Sequence, residues 1–378
     1  MNILFIAGDA DYSGATLSMI MLIRLLRKDG VICRIVLPYN GKIEKELVNY
    51  DIPYEVIKSY RWIKPVDETM SFNIWLKRNR EKAKNVIATR KICSRIKKWN
   101  IDIVHINTIA PYVGAISACK MSRPFIWHIR EFGKEDHGQT IWDEQSGYEL
   151  MSKSSAVITI SNALQIKFAT LLPNANVKMI YNGIDIRRYM HMDKKIFESR
   201  IVTITIAGRI AEGKGHIELM KAVEILRERF DCFRVQIVGD GKRAYTTELK
   251  DYISAHNLSP YVKLVGFIRN MEEIWETTDI CVVCSRCEAF GRVTVEAMLA
   301  GCLVIGANSG GTAELIENGQ TGLLYRCGSP EDLAEKITYA LMNKPLMAEI
   351  AAAGRLYAKT AFPAELNEKK ILQLYNEI

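Results

Sequence analysis

Residues Asp279 to Gly301 have the sequence DICVVCSRCEAFGRVTVEAMLAG, and this stretch decides the fold. The apolar run at its start is typical of a buried parallel strand. Residues 293–300 then have the pattern of a short helix that ends at Gly301. Two carboxylates, Glu288 and Glu296, therefore frame a turn from a strand to a helix. In an open α/β sheet, ligands bind at such turns.

The chemistry of this turn suits a ligand with polar groups at both ends and an anion between them. Glu288 lies in the loop and can accept hydrogen bonds from one group of the ligand. Glu296 lies in the first turns of the helix and can reach a second group. The free backbone N–H groups of the helix start can hold the anion. A nucleotide sugar, with phosphates between two hydroxyl-bearing parts, has this arrangement.

The chain of 378 residues alternates between strand-like apolar runs and helical patterns. This alternation predicts parallel sheets built from strand–helix–strand units. A single sheet of about twelve strands would be unusually wide, so an α/β fold of two Rossmann-like domains is expected. The predicted strands are Asn2–Ala7, Val31–Leu37, Tyr54–Ile57, Ile103–Asn107, Phe125–His128, Ala156–Ile160, Val177–Ile180, Val202–Ala207, Phe233–Val238, Val262–Val265, Ile280–Cys284 and Leu303–Ala307.

The boundary between the two domains is expected in a charged stretch. Residues 185–200 are aperiodic and poor in core residues, which predicts a linker. We therefore expect an N-terminal domain over 1–184 and a C-terminal domain over 201–361. Residues 362–378 have apolar side chains near helical spacing, so a terminal helix with one apolar stripe must dock on a domain.

A second loop, GRIAEGKG at 208–215, lies after a predicted strand and before a predicted helix. It matches the phosphate-loop pattern G-x-x-x-x-G-K-[ST] except at the last position, where Gly215 replaces the hydroxyl that would hold Mg²⁺. Arg209 supplies a planar fork and Lys214 a compact charge, so the loop suits a diphosphate bound without an obligatory metal. The alternative is a surface loop with solvated charges.

A third loop, NSGGTAEL at 308–315, follows another predicted strand. Gly310 and Gly311 allow the backbone to approach a ligand closely, and Thr312 can cap the next helix. The alternative is a capped tight turn without a ligand. Because this loop would lie at the same sheet edge as the other two, we expect the three loops to share one cleft.

Two places in the first half are further candidates. Ser13 and Gly14 lie just before the first predicted helix and suit a polar acceptor or a phosphate. Asp9 and Asp11 in the same loop resemble a D-x-D metal site, but the metal-free character of the phosphate loop argues against a metal. His128 lies at the predicted carboxyl end of a strand, where it is either a site residue or a histidine satisfied by its neighbours.

The nine cysteines are scattered without a disulfide framework, and the first residues lack the basic lead of a secretory signal. These features predict reduced thiols and a cytoplasmic protein. Cys281, Cys284 and Cys287 have metal-like spacing, but no fourth ligand is nearby, so small buried hydrophobes and no metal are expected. The most apolar helical run, 15–26, is shorter than the about 20 residues of a membrane span.

Basic and aromatic residues concentrate in 58–99, although the net charge of the whole chain is a modest +8. Trp62, Trp75 and Trp99 alternate there with lysines and arginines. Such a basic helix with tryptophans favours peripheral contact with an anionic membrane, here the inner face of the cell membrane, but a solvated helix face has the same pattern. No recognised nucleic-acid module accompanies the stretch, so nucleic acid is not an expected partner.

Together these residues resemble the retaining glycosyltransferases of family 4, which have the GT-B fold with two Rossmann-like domains facing a central cleft. The resemblance covers nearly the whole chain and is strongest after the predicted linker. The family's E-x7-E motif matches Glu288 and Glu296. Its Gly-Arg…Lys-Gly loop matches 208–215, its Gly-Gly-Thr-x-Glu stretch matches 310–314, and its base-binding turn matches 266–268.

The resemblance implies roles for single residues. The implied catalytic residues are His128, Arg209, Lys214 and Glu288. The implied donor-binding residues are Gly208, Phe267, Phe290, Gly291, Arg292, Val293 and Glu296. Ser13 and Gly14 stand where the family usually has a glycine pair, in the loop that contacts the acceptor or a phosphate. The terminal helix resembles the one that crosses back onto the first domain.

The expected reaction moves a hexose-type sugar from a nucleoside diphosphate sugar, with UDP favoured over GDP, to an acceptor hydroxyl with retained configuration. No metal or other cofactor is expected. The expected acceptor is a saccharide or lipid-linked saccharide in cell-surface polysaccharide or glycolipid biosynthesis. Three alternatives are a sugar-nucleotide epimerase of the same architecture, a P-loop-like nucleotide hydrolase, and a membrane-surface protein without catalysis. The missing hydroxyl after Lys214 argues against the hydrolase.

Overall fold

The computed structural model describes residues 1–192 and 194–378, which form two compact units. The first unit comprises Met1–Gly183 and Ala364–Ile378, and the second comprises Ile184–Pro363. Each unit has its own core of buried aliphatic and aromatic side chains. The chain therefore enters the second unit once and returns to the first at its end.

The strands are short, and the wholly buried ones lie in the interior of the two main sheets, as expected for parallel sheets covered on both faces. In chain order they are β1 (Asn2–Ile6), β2 (Ile32–Leu37), β3 (Tyr54–Val56), β4 (Ile63–Pro65), β5 (Ile103–Asn107), β6 (Phe125–Ile129), β7 (Gln139–Ile141), β8 (Ala156–Thr159), β9 (Val177–Met179), β10 (Val202–Ala207), β11 (Phe233–Val238), β12 (Val262–Gly266), β13 (Ile280–Val283), β14 (Leu303–Ala307) and β15 (Leu323–Tyr325).

Helices fill the connections between the strands, as the strand–helix–strand pattern requires. In chain order they are α1 (Gly14–Lys28), α2 (Glu44–Asn49), α3 (Phe72–Lys98), α4 (Val113–Lys120), α5 (Lys134–His137), α6 (Glu144–Ser152), α7 (Asn162–Leu171), α8 (His216–Arg227), α9 (Arg243–Ala255), α10 (Met271–Thr277), α11 (Arg292–Leu299), α12 (Gly310–Leu315), α13 (Pro330–Met342), α14 (Lys344–Ala361) and α15 (Ala364–Asn376). Short 3-10 turns lie at Ile186–Tyr189 and Glu212–Lys214.

Both main sheets are parallel and doubly wound. The strand order is β3-β2-β1-β5-β6-β8-β9 in the first unit and β12-β11-β10-β13-β14-β15 in the second. The winding direction reverses between β1 and β5, and again between β10 and β13. At such a reversal the connecting helices leave on opposite faces, which opens a crevice at the carboxyl ends of the two strands. The predicted fold class, α/β with two Rossmann-like domains, is confirmed.

A small antiparallel pair, β4 with β7, stands apart from the main sheets in the first unit. The sequence does not predict it, because each strand is only three residues long and neither has an apolar run. The pair forms a two-stranded ribbon beside α3, and it joins the connection after β3 to the connection after β6.

The stretch 185–200 differs from the predicted linker because part of it packs into the second unit. Asp185 caps the 3-10 turn by accepting a hydrogen bond from the backbone of Arg187. The side chains of Tyr189, Met192 and Ile196 are buried. These apolar residues are separated by charged ones, and for this reason the composition alone indicated a linker.

The terminal helix α15 packs against α1 in the first unit. Ile371, Leu374 and Tyr375 belong to the buried core of that unit. The Asn367 side chain donates a hydrogen bond of 2.6 Å to the carbonyl of Tyr181, just before the chain leaves the unit. The apolar stripe predicted from the sequence is therefore what docks the helix.

Candidate active site

Three loops of the second unit meet at one end of its sheet. They follow β10, β13 and β14, which are neighbouring strands on both sides of the winding reversal. These are the loops 208–215, 284–291 and 308–309, and they lie within the glycine-containing stretches predicted from the sequence to share one cleft. The backbone N–H of Arg286 donates to the carbonyl of Gly213 at 3.0 Å, so the first two loops are hydrogen-bonded to each other.

The centre of this loop cluster is an ion pair between Lys214 Nζ and Glu288 Oε1. The same carboxylate oxygen accepts a hydrogen bond of 2.8 Å from the Ser285 hydroxyl. The two side chains keep 33% and 20% of their surface exposed, so a ligand can reach both. Lys214 and Glu288 thus lie side by side, one able to bind an anion and the other able to accept hydroxyl hydrogens. Ser285 was not selected from the sequence, since a serine in a loop carries no spacing signal.

Close backbone approach explains the glycine at 215. Gly215 has φ +71°, and a Cβ at this position would lie 2.3 Å from the carbonyl oxygen of Cys284. A serine or threonine at 215 would therefore collide with the neighbouring loop. The departure from the phosphate-loop pattern is thus required by the packing of this loop against the end of β13.

The third loop is joined to Glu288 by its backbone. The N–H of Gly311 donates to the Glu288 carbonyl at 2.7 Å. A Cβ on Gly310 would lie 2.8 Å from that same oxygen, and its φ is +48°. The glycine pair therefore serves to hold the Glu288 loop in place, in addition to any contact with a ligand.

The helix that follows, α11, begins at Arg292 after Gly291, whose φ is +88°. A glycine at this N-cap position brings no side chain to the first turn. Glu296 lies four residues into the helix and accepts a 3.1 Å ion pair from Arg292 Nη2. The Phe290 side chain is buried against Phe362, with ring centroids 5.8 Å apart, so only the backbone of Phe290 faces the loop cluster.

The other predicted donor-binding residues lie around this centre. Arg209 is exposed at the start of the first loop, beside Gly208. Its side chain has no ion-pair partner among residues 1–192 and 194–378. Phe267 follows β12 and is 59% exposed, an unusual position for a phenylalanine. Since β12 is two strands from β10, about 10 Å away, Phe267 can serve only the far end of an extended ligand.

The first unit places His128 in a different environment. The imidazole has no solvent-accessible surface, and its Nδ1 lies 3.1 Å from Nε2 of His105 and 3.3 Å from Nη2 of Arg130. His105 Nδ1 in turn lies 2.6 Å from the hydroxyl of Tyr375 on α15. Burial, with the Arg130 charge second, holds the pKa of both histidines well below its usual range. The structure thus surrounds His128 with buried partners, and its contact with a sugar stays a prediction.

Arg130 determines how the protons of this network are placed. A guanidinium only donates, so His128 Nδ1 must accept, and the proton lies on Nε2. It follows that His105 donates from Nε2 and accepts at Nδ1 from Tyr375. Arg130 also donates from Nε to the Asn107 amide oxygen at 2.6 Å. The sequence could not reveal Tyr375, because it lies 270 residues from His105.

Ser13 is the N-cap of α1 in the structure. Its hydroxyl accepts from the Thr16 backbone at 3.2 Å, and the Thr16 hydroxyl accepts from the Ser13 backbone at 2.9 Å. Gly14 follows as the first helical residue and is exposed. The Ser13 hydroxyl therefore has a capping function, and the predicted acceptor or phosphate contact of Ser13 and Gly14 stays a prediction.

The cysteines and aspartates with metal-like spacing have structural roles. Cys281 and Cys284 are buried, and burial raises the pKa of both thiols above the usual range. The Asp9 carboxylate accepts from the backbone of Asp11 at 3.1 Å and from the Ser13 hydroxyl at 3.4 Å. Each of these residues thus has a role in packing or in a turn.

Both halves of the chain match models of glycosyltransferase families. Residues 12–188 match the family model described as Glycosyltransferase Family 4, and residues 191–357 match the model described as Glycosyl transferases group 1. The N-acetyl-alpha-D-glucosaminyl L-malate synthase of Bacillus anthracis is 26% identical over 303 residues, which is 76% of this chain and 77% of that protein. Spore coat protein SA of Bacillus subtilis is 24% identical over 310 residues, 75% of this chain and 80% of that protein.

Solved structures have the same fold. The Anabaena protein HepE, crystallised with UDP and glucose, superposes with a TM-score of 0.82 at 24% identity, and all of both chains is covered. TarM of S. aureus, crystallised with UDP and α-GlcNAc-glycerol, superposes with a TM-score of 0.79 at 15% identity over 99% of each chain. With the two family models covering both halves, the chain belongs to the family 4 glycosyltransferases with the GT-B fold.

Proposed function

We propose that this glycosyltransferase moves a hexose-type sugar from a UDP-sugar to an acceptor hydroxyl, with retained anomeric configuration and without a metal. The observation that carries the proposal is the ion pair between Lys214 and Glu288 at the carboxyl ends of adjacent strands. The Lys214 cation suits the phosphate of a nucleotide sugar, and the neighbouring Glu288 carboxylate suits the hydroxyls of the sugar that is joined to it. The preference for UDP is supported by HepE and TarM, whose crystals contained UDP.

Binding of the donor would separate the ion pair. Lys214 and the exposed Arg209 would turn to the diphosphate, and Glu288 would accept from hydroxyls of the transferred sugar. Ser285 keeps the Glu288 carboxylate oriented when the lysine leaves it. Glu296 would receive the ribose hydroxyls at the other end. Each group thus gains a partner of opposite polarity, and no buried charge is left unpaired.

The reaction would break the bond between the anomeric carbon and the phosphate oxygen, while the acceptor oxygen bonds to the same face of that carbon. The acceptor proton would pass to the leaving phosphate oxygen. Negative charge grows on the diphosphate during this step, and Lys214 and Arg209 would stabilise it through charges that are already in place. Glu288 lies in an ion pair with Lys214 and would serve the sugar hydroxyls, so it is not assigned as a nucleophile.

The acceptor is proposed to be a saccharide or lipid-linked saccharide of a cell-surface polysaccharide or glycolipid. Support for peripheral membrane contact comes from the start of α3, where Phe72 and Trp75 are 73% and 51% exposed and their rings stack at 5.9 Å. Exposed aromatic rings beside lysines and arginines favour an anionic lipid surface. Within the described ranges, no helix has both the length and the apolarity to cross a bilayer.

A thermal-unfolding screen with UDP-, GDP- and ADP-sugars in EDTA tests the donor. A UDP-sugar at 100 times its Kd should stabilise the protein by about 2.7 kcal/mol, and Lys214→Ala should reduce this stabilisation by at least about half at the same ligand concentration. If no nucleotide sugar raises the midpoint, the proposal is wrong. Product analysis separates the alternatives: an epimerase would convert the donor without an acceptor, and a hydrolase would cleave nucleoside triphosphates in the presence of Mg²⁺.

A further inference from the structure

An open cleft lies in the first unit between α3 and the β4–β7 pair. One face of α3 forms its first wall, because Arg78, Glu81, Lys82 and Asn85 follow each other at helical spacing. Trp142, directly after β7, stands on the opposite wall. The Arg78 guanidinium and the Lys82 ammonium each lie 5.8 Å from the centroid of the Trp142 ring.

The floor of the cleft is rigid. Asn85 is buried, accepts a hydrogen bond of 2.8 Å from the backbone of Tyr60, and donates to the Tyr112 hydroxyl at 2.9 Å. Below them the ring of Tyr112 stacks on Trp62 at 4.7 Å, and Trp62 stacks on Trp127 at 5.7 Å. Aromatic stacks with bonded polar groups hold their shape, so this cleft is present before any ligand arrives.

The charges in the cleft favour an anion. Arg61, Arg78 and Lys82 line it together with a single carboxylate, Glu81. Arg78 is paired with Glu68 through Nη2, but its Nη1 is buried and has no hydrogen-bond partner in residues 1–192 and 194–378. A buried guanidinium nitrogen without an acceptor is unfavourable, and an anionic oxygen of a ligand would satisfy it.

The cleft is also close to the carboxyl end of β1. Arg61 is near enough to Asp9, in the loop after β1, for its charge to act on that carboxyl group. A ligand in the cleft would therefore lie beside the loop at 8–14, next to the winding reversal of this sheet.

We infer that this cleft binds a saccharide carrying an anionic group, a carboxylate or a phosphate. The sugar ring would stack on Trp142, the anion would bind Arg61, Arg78 and Lys82, and Glu81 would accept from a hydroxyl. Aromatic rings bind the apolar faces of sugars, and arginines bind planar anions through paired N–H groups. The inference rests on the proposed function, because it assigns the acceptor of that reaction to the acidic glycans.

The test measures binding without a donor, so it does not depend on transfer. Titration calorimetry and ligand-observed NMR would compare methyl glucuronoside and glucose 6-phosphate with neutral methyl glucoside. The acidic sugars should bind, and the double variant Arg61→Ala/Lys82→Ala should weaken them about tenfold. Arg61 and Lys82 are both exposed, so their loss should leave the fold intact.

A matched control removes the same charge from the same region. Lys77→Ala/Arg80→Ala alters two exposed cations on α3 that do not line the cleft, and it should leave acidic-sugar binding unchanged. Equal binding of neutral and acidic sugars, or equal loss in both double variants, would overturn the inference. So would a cleft variant that loses binding to anionic phosphatidylglycerol vesicles while wild type binds no sugar, because the cleft would then serve a lipid surface. If acidic sugars bind and no donor supports transfer, the cleft stands and the proposed reaction fails.

Discussion

The sheets of the two units are wound in the same way, but the polar and charged side chains near the strand ends are partly exposed in the second unit and buried in the first. The second unit gathers Lys214 and Glu288 in open loops, where both side chains are partly exposed. The first unit buries His105, His128 and Arg130 around one hydrogen-bonded network. Strand order determines where a crevice opens in either sheet. The residues after each strand then determine whether the crevice contains exposed charged side chains that a ligand can bind, or buried polar side chains that bond to one another.

This contrast predicts different responses to change. In the second unit a ligand has to replace an existing ion pair, so single charge deletions should affect binding and catalysis more than folding. In the first unit His105, His128 and Arg130 are buried and joined by hydrogen bonds, although His128 Nε2 has no partner among residues 1–192 and 194–378. Changes there should alter both protonation and stability. Four single substitutions, two in each unit, test this contrast.

Lys214→Ala should reduce the rate of transfer by about 10²–10³-fold, because it removes the charge proposed to stabilise the leaving diphosphate. The measurement is kcat/KM with a UDP-sugar, beside the midpoint of thermal unfolding. Lys250→Ala, an exposed lysine on α9, is the matched control and should retain full activity. Near wild-type turnover in the Lys214 variant would remove the basis for the assignment.

Gly215→Ala should lower the free energy of unfolding by about 1–3 kcal/mol, because the new Cβ would contact the Cys284 carbonyl and φ is positive. It should also weaken donor binding, since the two loops would separate. Gly213→Ala is the control in the same loop, where a Cβ has no described atom within 4 Å. Urea unfolding gives the free energy of unfolding of both variants. Equal values would show that the loop at 208–215 does not contact the Cys284 carbonyl.

Tyr375→Phe should disturb the histidine network while keeping its ring in the core. His105 Nδ1 would lose its donor, so the preference of His105 for a proton on Nε2 would weaken, while Arg130 would still hold the His128 proton on Nε2. NMR of the ring nitrogens should show one fixed tautomer for His105 in wild type and a mixture in the variant. Stability should fall by about 1–2 kcal/mol, the usual effect of an unpaired buried acceptor.

Tyr54→Phe provides the control for loss of a hydroxyl, since Tyr54 bonds Glu44 at 3.0 Å far from the histidines. It should leave the His105 resonances unchanged. Identical spectra in Tyr375→Phe and wild type would mean that Tyr375 does not determine the tautomer.

Glu131→Gln should change the pH dependence of stability, beside a constant loss because the glutamine amide has one acceptor oxygen for the two backbone N–H groups that Glu131 binds. Burial raises the pKa of Glu131 to about 7, so between pH 4.5 and 7 the folded state binds more protons than the unfolded state. The contribution of Glu131 to stability therefore falls as pH rises through this window. The free energy of unfolding of the variant, relative to wild type, should rise from pH 5 to 7 and be constant above. A difference that does not vary with pH would contradict the raised pKa.

Much of the second unit could be predicted from the sequence because its signals are local. The strand before Glu288 is a continuous apolar run, and glycines mark the turn in each of the three loops. In contrast, Ser285 has no distinguishing neighbours, and the need for glycine at 215 depends on the distant Cys284 carbonyl. Tertiary contacts of this kind have no local pattern.

The first unit was harder to predict because its site depends on distant parts of the chain. Tyr375 reaches His105 only after the chain has passed through the second unit. The cleft beside α3 depends on β4 and β7, which are too short to give a strand pattern. Trp62 and Trp75 were noted together as a basic aromatic region, but one is buried in a ring stack and the other is exposed.

Titration of UDP into the protein in the presence of EDTA tests the central claim most directly. Wild type and Lys250→Ala should bind UDP with equal affinity, and Lys214→Ala should bind at least about tenfold more weakly, as expected for the loss of a charge-assisted contact. Equal UDP affinity in wild type and Lys214→Ala, or binding that requires a divalent metal, would contradict it.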